Sequence, residues 1–528
     1  MFKKLLAALL ISLCISPLAK AFDIGIEYGY GPTTNPANAS YYAAMGATDV
    51  KFTDVMWKDI EPTAPWFSGL FHFYNFDNLD YAVRSWQALG MNIHMVLRCN
   101  APWATQATVT APPQFALLIG GADSPPKSAI HMKYWRDWVK QVVERYDGDG
   151  YNDMPGLRYP ISYWEIGSEV QMYNFWMGTQ EDYVAILQAA KQASKDADPN
   201  YKIILAGINF RAMYDDSPSA DLVQTRLNGL PTGWKEATIR AVNFTQYTLN
   251  FPSAFDVIEL HTLNDYTGMA PQLTQLTSWT ASATRTPNSA GAYTKPVWAG
   301  DTMSAVATEF TSSLNWNPPL PNQFYSFPDP LFGELQTLRY ALQTPTDANY
   351  LQATNWMRTE QSRLSIKRFC IGFWLGFPKV MLGTLEDWPN FSGFPYQGLV
   401  NSDFSPRPAY RAVAQFTSRV TGRTISKLTT SNTGAYAFLF AKTGSTPVVV
   451  AWKDTYRPAP RSRWYLSYPR GTETTTRVTI PFSAATAIVT PIVSVETPSP
   501  TSTIVPVISG QVTVDLGSSP IFIEAPSS

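Results

Sequence analysis

The stretch Tyr163-Trp164-Glu165-Ile166-Gly167-Ser168-Glu169 is the most informative segment for the fold of this chain. Its apolar start is typical of a β-strand buried on both faces, and such strands occur mainly in parallel sheets. Strand residues of one parity share a face, so the pattern predicts that Glu165, Gly167 and Glu169 point the same way. A buried carboxylate must be paired or protonated. The acids therefore indicate either a polar site at the strand end or a solvated strand end.

Strand-like and helix-like segments alternate from Phe22 to about Gly422. This alternation predicts an α/β fold, a (β/α)8 TIM barrel with long insertions. A doubly wound open sheet is the alternative, but the turn at 29–32 lacks the glycine pattern of a nucleotide-binding loop. The eight predicted strands are residues 23–28, 49–53, 92–97, 163–169, 202–207, 255–260, 296–299 and 369–375.

The two ends of the chain differ from this pattern. Residues 423–528 contain short strand-like segments separated by turns, which predicts a C-terminal all-β sandwich domain packed on a barrel of residues 22–422. Residues 1–21 have a basic start, an apolar run and the sequence Ala19-Lys20-Ala21, which predict a signal peptide and a secreted or periplasmic protein.

No later stretch is long and apolar enough for a membrane span. The net charge of −1 gives no support for nucleic acid binding.

In a parallel barrel the active site forms at the C-terminal ends of the strands. Glu169 and Asp301 both follow predicted strands, and two carboxylates on different strands are what hydrolysis of a glycosidic bond requires. The chain has only 4 His and no mixed His/Asp/Glu ligand spacing, so we expect no metal site and no cofactor. No Gly-x-Ser-x-Gly motif points to a serine hydrolase.

Several segments carry a resemblance to a known family. Trp164 to Glu169 resembles the Trp-Glu-x-Gly-Asn-Glu motif of the clan A glycoside hydrolases, which are retaining (β/α)8 enzymes, and is most similar to the β-xylosidase/α-iduronidase-like and related endoglycosidase families. The other similar segments also occur along the chain in the same order as the corresponding motifs of the clan. These segments are residues 56–62, 101–104, His261, 295–301, 399–410 and 512–524.

The resemblance implies that Glu169 is the acid/base and Asp301 the nucleophile, acting on a β-linked poly- or oligosaccharide. It also implies that four further side chains line the sugar site, and Asn100 at the end of strand three is another candidate for substrate binding. Trp374 would form the floor of the site. The four side chains are Ser168, His261, Trp103 and Trp374.

Four positions depart from the pattern of the clan. Ser168 replaces an asparagine, Asp301 a glutamate, Leu263 a tyrosine and Lys51 an arginine. The side chain of aspartate is about 1.5 Å shorter than that of glutamate. Retaining enzymes hold their carboxyl groups roughly 5–5.5 Å apart and inverting enzymes roughly 6.5–9.5 Å apart. The stereochemical outcome therefore stays open, as does an alternative in which the barrel is a non-catalytic glycan-binding or envelope-assembly protein.

Two supporting acids complete the predictions. Glu165 should pair with Lys51 below the site, since an acid inside a barrel needs a cation. Glu309 is the alternative to Asp301 on the same loop. The sugar, its linkage and the oligomeric state are not specified by the sequence.

Overall fold

The computed structural model contains a closed parallel barrel followed by an antiparallel sheet. The predicted signal peptide and Glu309 lie outside the residues that it describes. The described residues are 22–28, 38–69, 71–115, 122–210, 213–214, 216–230, 232–263, 266–282, 295–302, 342, 344–383, 385–386, 398–454 and 474–526.

Eight parallel strands pair in chain order, and the eighth pairs with the first to close the barrel. The predicted TIM barrel is thereby confirmed. The strands are apolar on both faces, as expected where helices cover the sheet outside and side chains fill it inside. They are β1 (Asp23–Tyr28), β2 (Asp49–Met56), β3 (Asn92–Arg98), β4 (Tyr163–Ile166), β5 (Lys202–Asn209), β6 (Val257–His261), β7 (Val297–Thr302) and β8 (Lys379–Leu382).

The helices bury one face against the barrel. In the fourth helix, for example, Trp135, Trp138 and Val142 recur at helical spacing and are fully buried. In the described part of the chain the helices are α1 (Ala39–Ala44), α2 (Trp57–Ile60), α3 (Asp77–Gln87), α4 (Ala129–Tyr146), α5 (Gln180–Ala197), α6 (Ala220–Asn228), α7 (Thr232–Leu249), α8 (Met269–Ser282), α9 (Tyr350–Trp374) and α10 (Pro408–Val420).

The prediction of strand eight at residues 369–375 is wrong. Most of this segment is the last part of α9, and β8 begins four residues later, at Lys379. Helix α9 is enclosed by the barrel on one side and the C-terminal domain on the other, so residues 359–373 are buried all round. A helix without an exposed face has no polar/apolar period, and a short apolar run within it cannot be distinguished from a buried strand.

The C-terminal residues form the predicted all-β domain. Its eight antiparallel strands make one sheet, whose two halves face each other across a core that includes Val449, Ile480, Val512 and Ile523. The outer face of one half packs on α9 and α10. The strands are β9 (Thr424–Lys427), β10 (Tyr436–Ala441), β11 (Val448–Trp452), β12 (Thr476–Pro481), β13 (Thr486–Pro491), β14 (Thr503–Ile508), β15 (Gln511–Leu516) and β16 (Ile521–Glu524), in the order β12-β15-β14-β13-β16-β11-β10-β9.

Aromatic and charged contacts join the domain to the barrel. Phe440 contacts both Phe22, which directly precedes β1, and Phe416 of α10, with ring centroids 5.8 and 5.6 Å apart. Lys367 of α9 pairs with Asp454 just after β11. None of the described helices combines the length and the hydrophobicity of a membrane span.

Candidate active site

Lys51 lies at the centre of the barrel and gathers three acids around it. Its side chain is fully buried, and its Nζ lies 3.1 Å from Glu27 and 3.2 Å from Glu165, in contact with Glu259 as well. The predicted Lys51–Glu165 pair is confirmed. A buried lysine is held in its charged form only when such partners offset the loss of water, and here these three carboxylates do so, raising the pKa of Lys51 despite its burial.

His261, at the end of β6, connects this lysine cluster to the mouth of the barrel. Its Nε2 lies 3.0 Å from Glu259 and its Nδ1 lies 2.8 Å from Glu169. Burial and Lys51 disfavour the imidazolium ion, but the hydrogen bonds to the two glutamates outweigh them and raise the pKa of His261. The imidazole is therefore protonated and donates from both nitrogens. Gly207 makes room for the ring, since a β-carbon there would overlap it.

Glu169 reaches the site from a turn and not from a strand. Strand β4 ends at Ile166, and Gly167 and Glu169 have φ angles of 71° and 41°. The prediction that these two residues continue the strand alternation is wrong, because a left-handed conformation at Gly167 redirects the backbone. The turn still delivers the Glu169 carboxylate to Asn209, whose Nδ2 donates to it at 2.8 Å.

Asp301 is placed by a β-bulge in β7. Leu260 pairs with Ala299 and His261 with Asp301, so Gly300 is the extra residue. One carboxylate oxygen each of Asp301 and Glu169, together with a nitrogen of His261, all lie within 4.8 Å of one another. The two side chains remain 15% and 11% exposed. The structure therefore brings the two predicted acids together at the barrel mouth.

The carboxyl groups around Lys51 and His261 share too few cations for all of them to ionise. Burial, with Asp301 nearby, raises the pKa of Glu27 to about 8, and burial raises that of Glu165 to about 7. Burial likewise raises the pKa of Asp301. Burial also opposes ionisation of Glu259, but Lys51 and His261 overcome it and hold its pKa well below the usual range. Protons therefore reside on some of the inner acids at neutral pH.

Three other predicted site residues follow the C-terminal ends of strands, at the same end of the barrel as Glu169. Ser168 is half-buried, beside Glu169 in the turn after β4. Asn100 follows β3 and is buried, and its Oδ1 has no hydrogen-bond partner among the described residues. Trp103 packs edge-on against Trp57 and donates from Nε1 to the carbonyl of Glu61 at 3.0 Å. Asn100 thus has an acceptor available to a ligand, whereas Trp103 is held in an aromatic cluster.

The structure does not bring Trp374 to this site. The residue ends α9, which leads into the N-terminal end of β8, so it lies at the opposite end of the barrel from Glu169. Its ring is 40% exposed and packs against Phe438, with Lys427 Nζ 4.7 Å from its centroid. The predicted floor of a sugar site is instead part of the contact with the C-terminal domain.

Two groups of side chains near the barrel centre combine metal-ligand types within 4.8 Å. In one group both ring nitrogens of His261 already contact carboxylates. In the other group the Lys51 ammonium already contacts both acids. Neither arrangement favours a cation. The groups are Glu169–His261–Asp301 and His94–Glu165–Glu259.

Solved structures of known proteins share this architecture. A monomeric beta-xylosidase from Caulobacter crescentus CB15 matches with a TM-score of 0.57 and 13% identity over 96% of each chain. A glucosidase from Croceicoccus marinus matches with a TM-score of 0.55 and 12% identity over 97% of each chain. This chain has the fold of the clan A glycoside hydrolases.

A third match supports the same fold. A family 39 glycoside hydrolase from Bacteroides cellulosilyticus WH2 has a TM-score of 0.53 and 14% identity, over 96% of this chain and 81% of that one. No protein-family model and no curated protein matches the sequence. The predicted resemblance to clan A glycoside hydrolases is thereby confirmed for the fold.

Two residues of this site were missed by sequence reasoning. Asn209, the donor to Glu169, was overlooked because strand five was predicted to end at Gly207, two residues early. The polar residue that directly follows Ile208 was the available signal. Glu27, a partner of Lys51, lies in a short strand in which nothing local distinguishes it from a surface acid.

An apolar pocket adjoins Glu169 through Asn209. It lies between the end of β5 and helix α7 and encloses about 420 Å³, including the part open to solvent. The lining side chains are Met172, Asn209, Phe210, Met213, Tyr214, Trp234, Ala237, Thr238, Ala241 and Val242.

Proposed function

We propose that this protein is an exported glycoside hydrolase that cleaves β-linked glycosides by a two-carboxylate mechanism, with Glu169 as acid/base and Asp301 as nucleophile. The observation that carries the proposal is the convergence of these two acids within 4.8 Å at the mouth of the barrel, although they are 132 positions apart (301 − 169). The solved structures of the same fold include β-xylosidases and a glucosidase. β-Xylosides are therefore the first substrates to test.

The approach of one oxygen of each acid to within 4.8 Å of the other is the basis for proposing retention of configuration. Retaining enzymes hold their carboxyl groups roughly 5–5.5 Å apart, and inverting enzymes leave a wider gap for water. In the proposed reaction Asp301 attacks the anomeric carbon while Glu169 protonates the departing oxygen. Glu169 then removes a proton from the water that hydrolyses the glycosyl–aspartate ester. The bulge at Gly300 would compensate for the shorter side chain of aspartate.

Asn209 and His261 are proposed to position the acid. Both donate to the same oxygen, Oε1 of Glu169. An oxygen that accepts two hydrogen bonds is the poorer site for a proton, so the acidic proton would reside on Oε2. The carboxyl plane is thereby fixed before the substrate arrives, which is how positioning groups lower a barrier.

The proposal is tested by hydrolysis of methyl and 2,4-dinitrophenyl β-D-xylosides. We expect Glu169→Gln to lower kcat/KM for the methyl xyloside by at least about a hundredfold, and to affect the activated substrate much less, because dinitrophenolate departs without protonation. Asp301→Asn should abolish turnover of both. Glu181→Gln, at an exposed acid of α5, is the matched control. NMR of the first-formed sugar should show the β-anomer.

Equal rates for wild type and Glu169→Gln on the methyl xyloside would remove Glu169 from its proposed role. A product of inverted configuration would instead reassign Asp301 from nucleophile to general base.

A second candidate is a glycan-binding protein on a barrel that has lost catalysis. It is favoured by the joint changes at Ser168, Leu263 and Asp301, and by the burial that raises the pKa of Asp301 and so opposes an ionised nucleophile. Saturable binding of oligosaccharides without turnover, together with activity gained in Asp301→Glu, would support this candidate over the first.

A further inference from the structure

The loop between α4 and β4 carries a cluster of acids that the proposed reaction does not use. It reads Asp147-Gly148-Asp149-Gly150-Tyr151-Asn152-Asp153. Because it leads into the N-terminal end of β4, it lies at the opposite end of the barrel from Glu169. One carboxylate oxygen from each of the three aspartates lies within 4.8 Å of the others.

These three carboxylates lack a cation. Among the described residues, no lysine, arginine or histidine forms an ion pair with Asp147, Asp149 or Asp153, whereas the nearby Asp80 and Asp137 each have such a partner. Like charges at this distance repel each other. Exposed acids often cluster without an ion, so a metal site here needs a further reason.

Asp147 gives that reason, because it is not a surface acid. The residue is only 7% exposed, and its Oδ2 has no hydrogen-bond partner among the described residues. Its carboxyl group faces those of Asp149 and Asp153. A buried polar atom without a partner is uncommon in native structures, and a carboxylate oxygen in this condition is costly unless a donor or a cation meets it.

The neighbouring groups make the cost larger. Glu144 adds a further negative charge near Asp147, besides those of Asp149 and Asp153. Backbone amides hold the other two carboxylates in place: Gly148 and Gly150 donate to Asp153, and Tyr151 donates to Asp149. The cluster is therefore arranged before any ligand binds.

We propose that this Asp-x-Asp-x-x-x-Asp loop binds a calcium ion. The available ligands are all oxygen atoms, and the loop is irregular and rich in glycine. Calcium accepts six to eight oxygens in variable geometry, whereas magnesium requires a near-ideal octahedron. The loop contains no histidine, which is why a search for mixed His/Asp/Glu spacing passes over it. The bound ion is structural, since it braces the start of the strand whose other end leads to Glu169.

Calcium titration of the full-length protein, after treatment with EDTA, tests this site. By calorimetry we expect saturable binding of one ion with a Kd of about 10⁻⁵ to 10⁻³ M, and a melting temperature that rises by roughly 2–5 °C in excess calcium. Asp149→Asn should weaken binding by at least about tenfold and remove the thermal shift. Asp149 is exposed and its Oδ1 acceptor survives in asparagine, so this variant should fold. Asp196→Asn, at an exposed acid of α5, is the control.

The site is overturned if calcium produces neither heat nor a thermal shift up to about 10 mM, or if Asp149→Asn and the second variant Asp153→Asn bind calcium as wild type does. Magnesium binding as tight as calcium binding would overturn the choice of ion. None of these measurements depends on turnover of a glycoside, so the site and the proposed function succeed or fail separately.

Discussion

At the scale of single residues, the proposed nucleophile and acid are distinguished by their hydrogen bonds. Glu169 accepts from Asn209 and His261, whereas Asp301 lies 3.9 Å from His261 Nδ1, beyond hydrogen-bond distance. Burial raises the pKa of Asp301. Attack on an anomeric carbon requires this group in its ionised form.

This difference predicts the acidic limb of the pH profile. For 2,4-dinitrophenyl β-D-xyloside, kcat/KM should fall as the pH drops through the raised pKa of Asp301. The negative charge of Glu169 is one cause of that raised value. Glu169→Gln removes the charge, so its acidic limb should lie at lower pH than that of wild type. Stopped assays across the acidic range measure the pH profiles of wild type and Glu169→Gln. If the two profiles fall at the same pH, the charge of Glu169 does not affect the pKa of Asp301.

At the scale of elements, the bulge in β7 is what allows an aspartate to occupy the site. The extra residue is Gly300, which also leaves room for the Glu259 side chain, since a β-carbon at this position would overlap that carboxyl group. Glu259 in turn contacts Lys51 and His261. The bulge therefore connects the placement of Asp301 to the packing of the inner ion pairs.

We expect Gly300→Ala to destabilise the fold by about 1–3 kcal/mol, as overpacking of a core does, and to lower activity because Glu259 must move. Urea unfolding and turnover of the dinitrophenyl substrate measure the two effects. Gly434→Ala is the control, since a β-carbon there meets only ordinary contacts at 3.5 Å or more, and it should change stability by less than about 0.5 kcal/mol. A Gly300→Ala variant as stable as this control would show that the glycine is not required.

At the scale of the whole molecule, the barrel core contains buried acids whose raised pKa values keep them protonated near neutral pH. The folded-state pKa of Glu27 is about 8 and that of Glu165 about 7, against ordinary values near 4.5. Between pH 4.5 and these values the folded state binds more protons than the unfolded state. Stability must therefore fall as the pH rises through this range. The raised pKa of His261 acts in the same direction above pH 6.5.

The free energy of unfolding should consequently be larger at pH 5 than at pH 8. A single group contributes a slope of at most about 1.4 kcal/mol per pH unit. Glu27→Gln, which is neutral at every pH, should flatten the slope, whereas Glu181→Gln should leave it unchanged. Urea denaturation at several pH values measures the slopes. A slope in Glu27→Gln equal to that of wild type would mean that Glu27 is ionised in the folded protein.

The sequence by itself determined the barrel, the order of its strand-end motifs and the Lys51–Glu165 pair. The barrel and the motifs are local features: alternating apolar periods define strands and helices, and motifs at the strand ends are short. The pair followed from the need of an acid inside a barrel for a cation. The error at strand eight has the same origin, since residues 369–373 are buried all round and carry no period that separates a helix from a strand.

Only the tertiary structure decided what surrounds the two acids. The bulge at Gly300 and the contact of the donor Asn209 with Glu169 depend on neighbours far away in the sequence. The same is true of the protons in the core, because a pKa reflects burial and the charges that other strands bring close. Local periodicity carries no information about such distances, and they are set when the barrel closes.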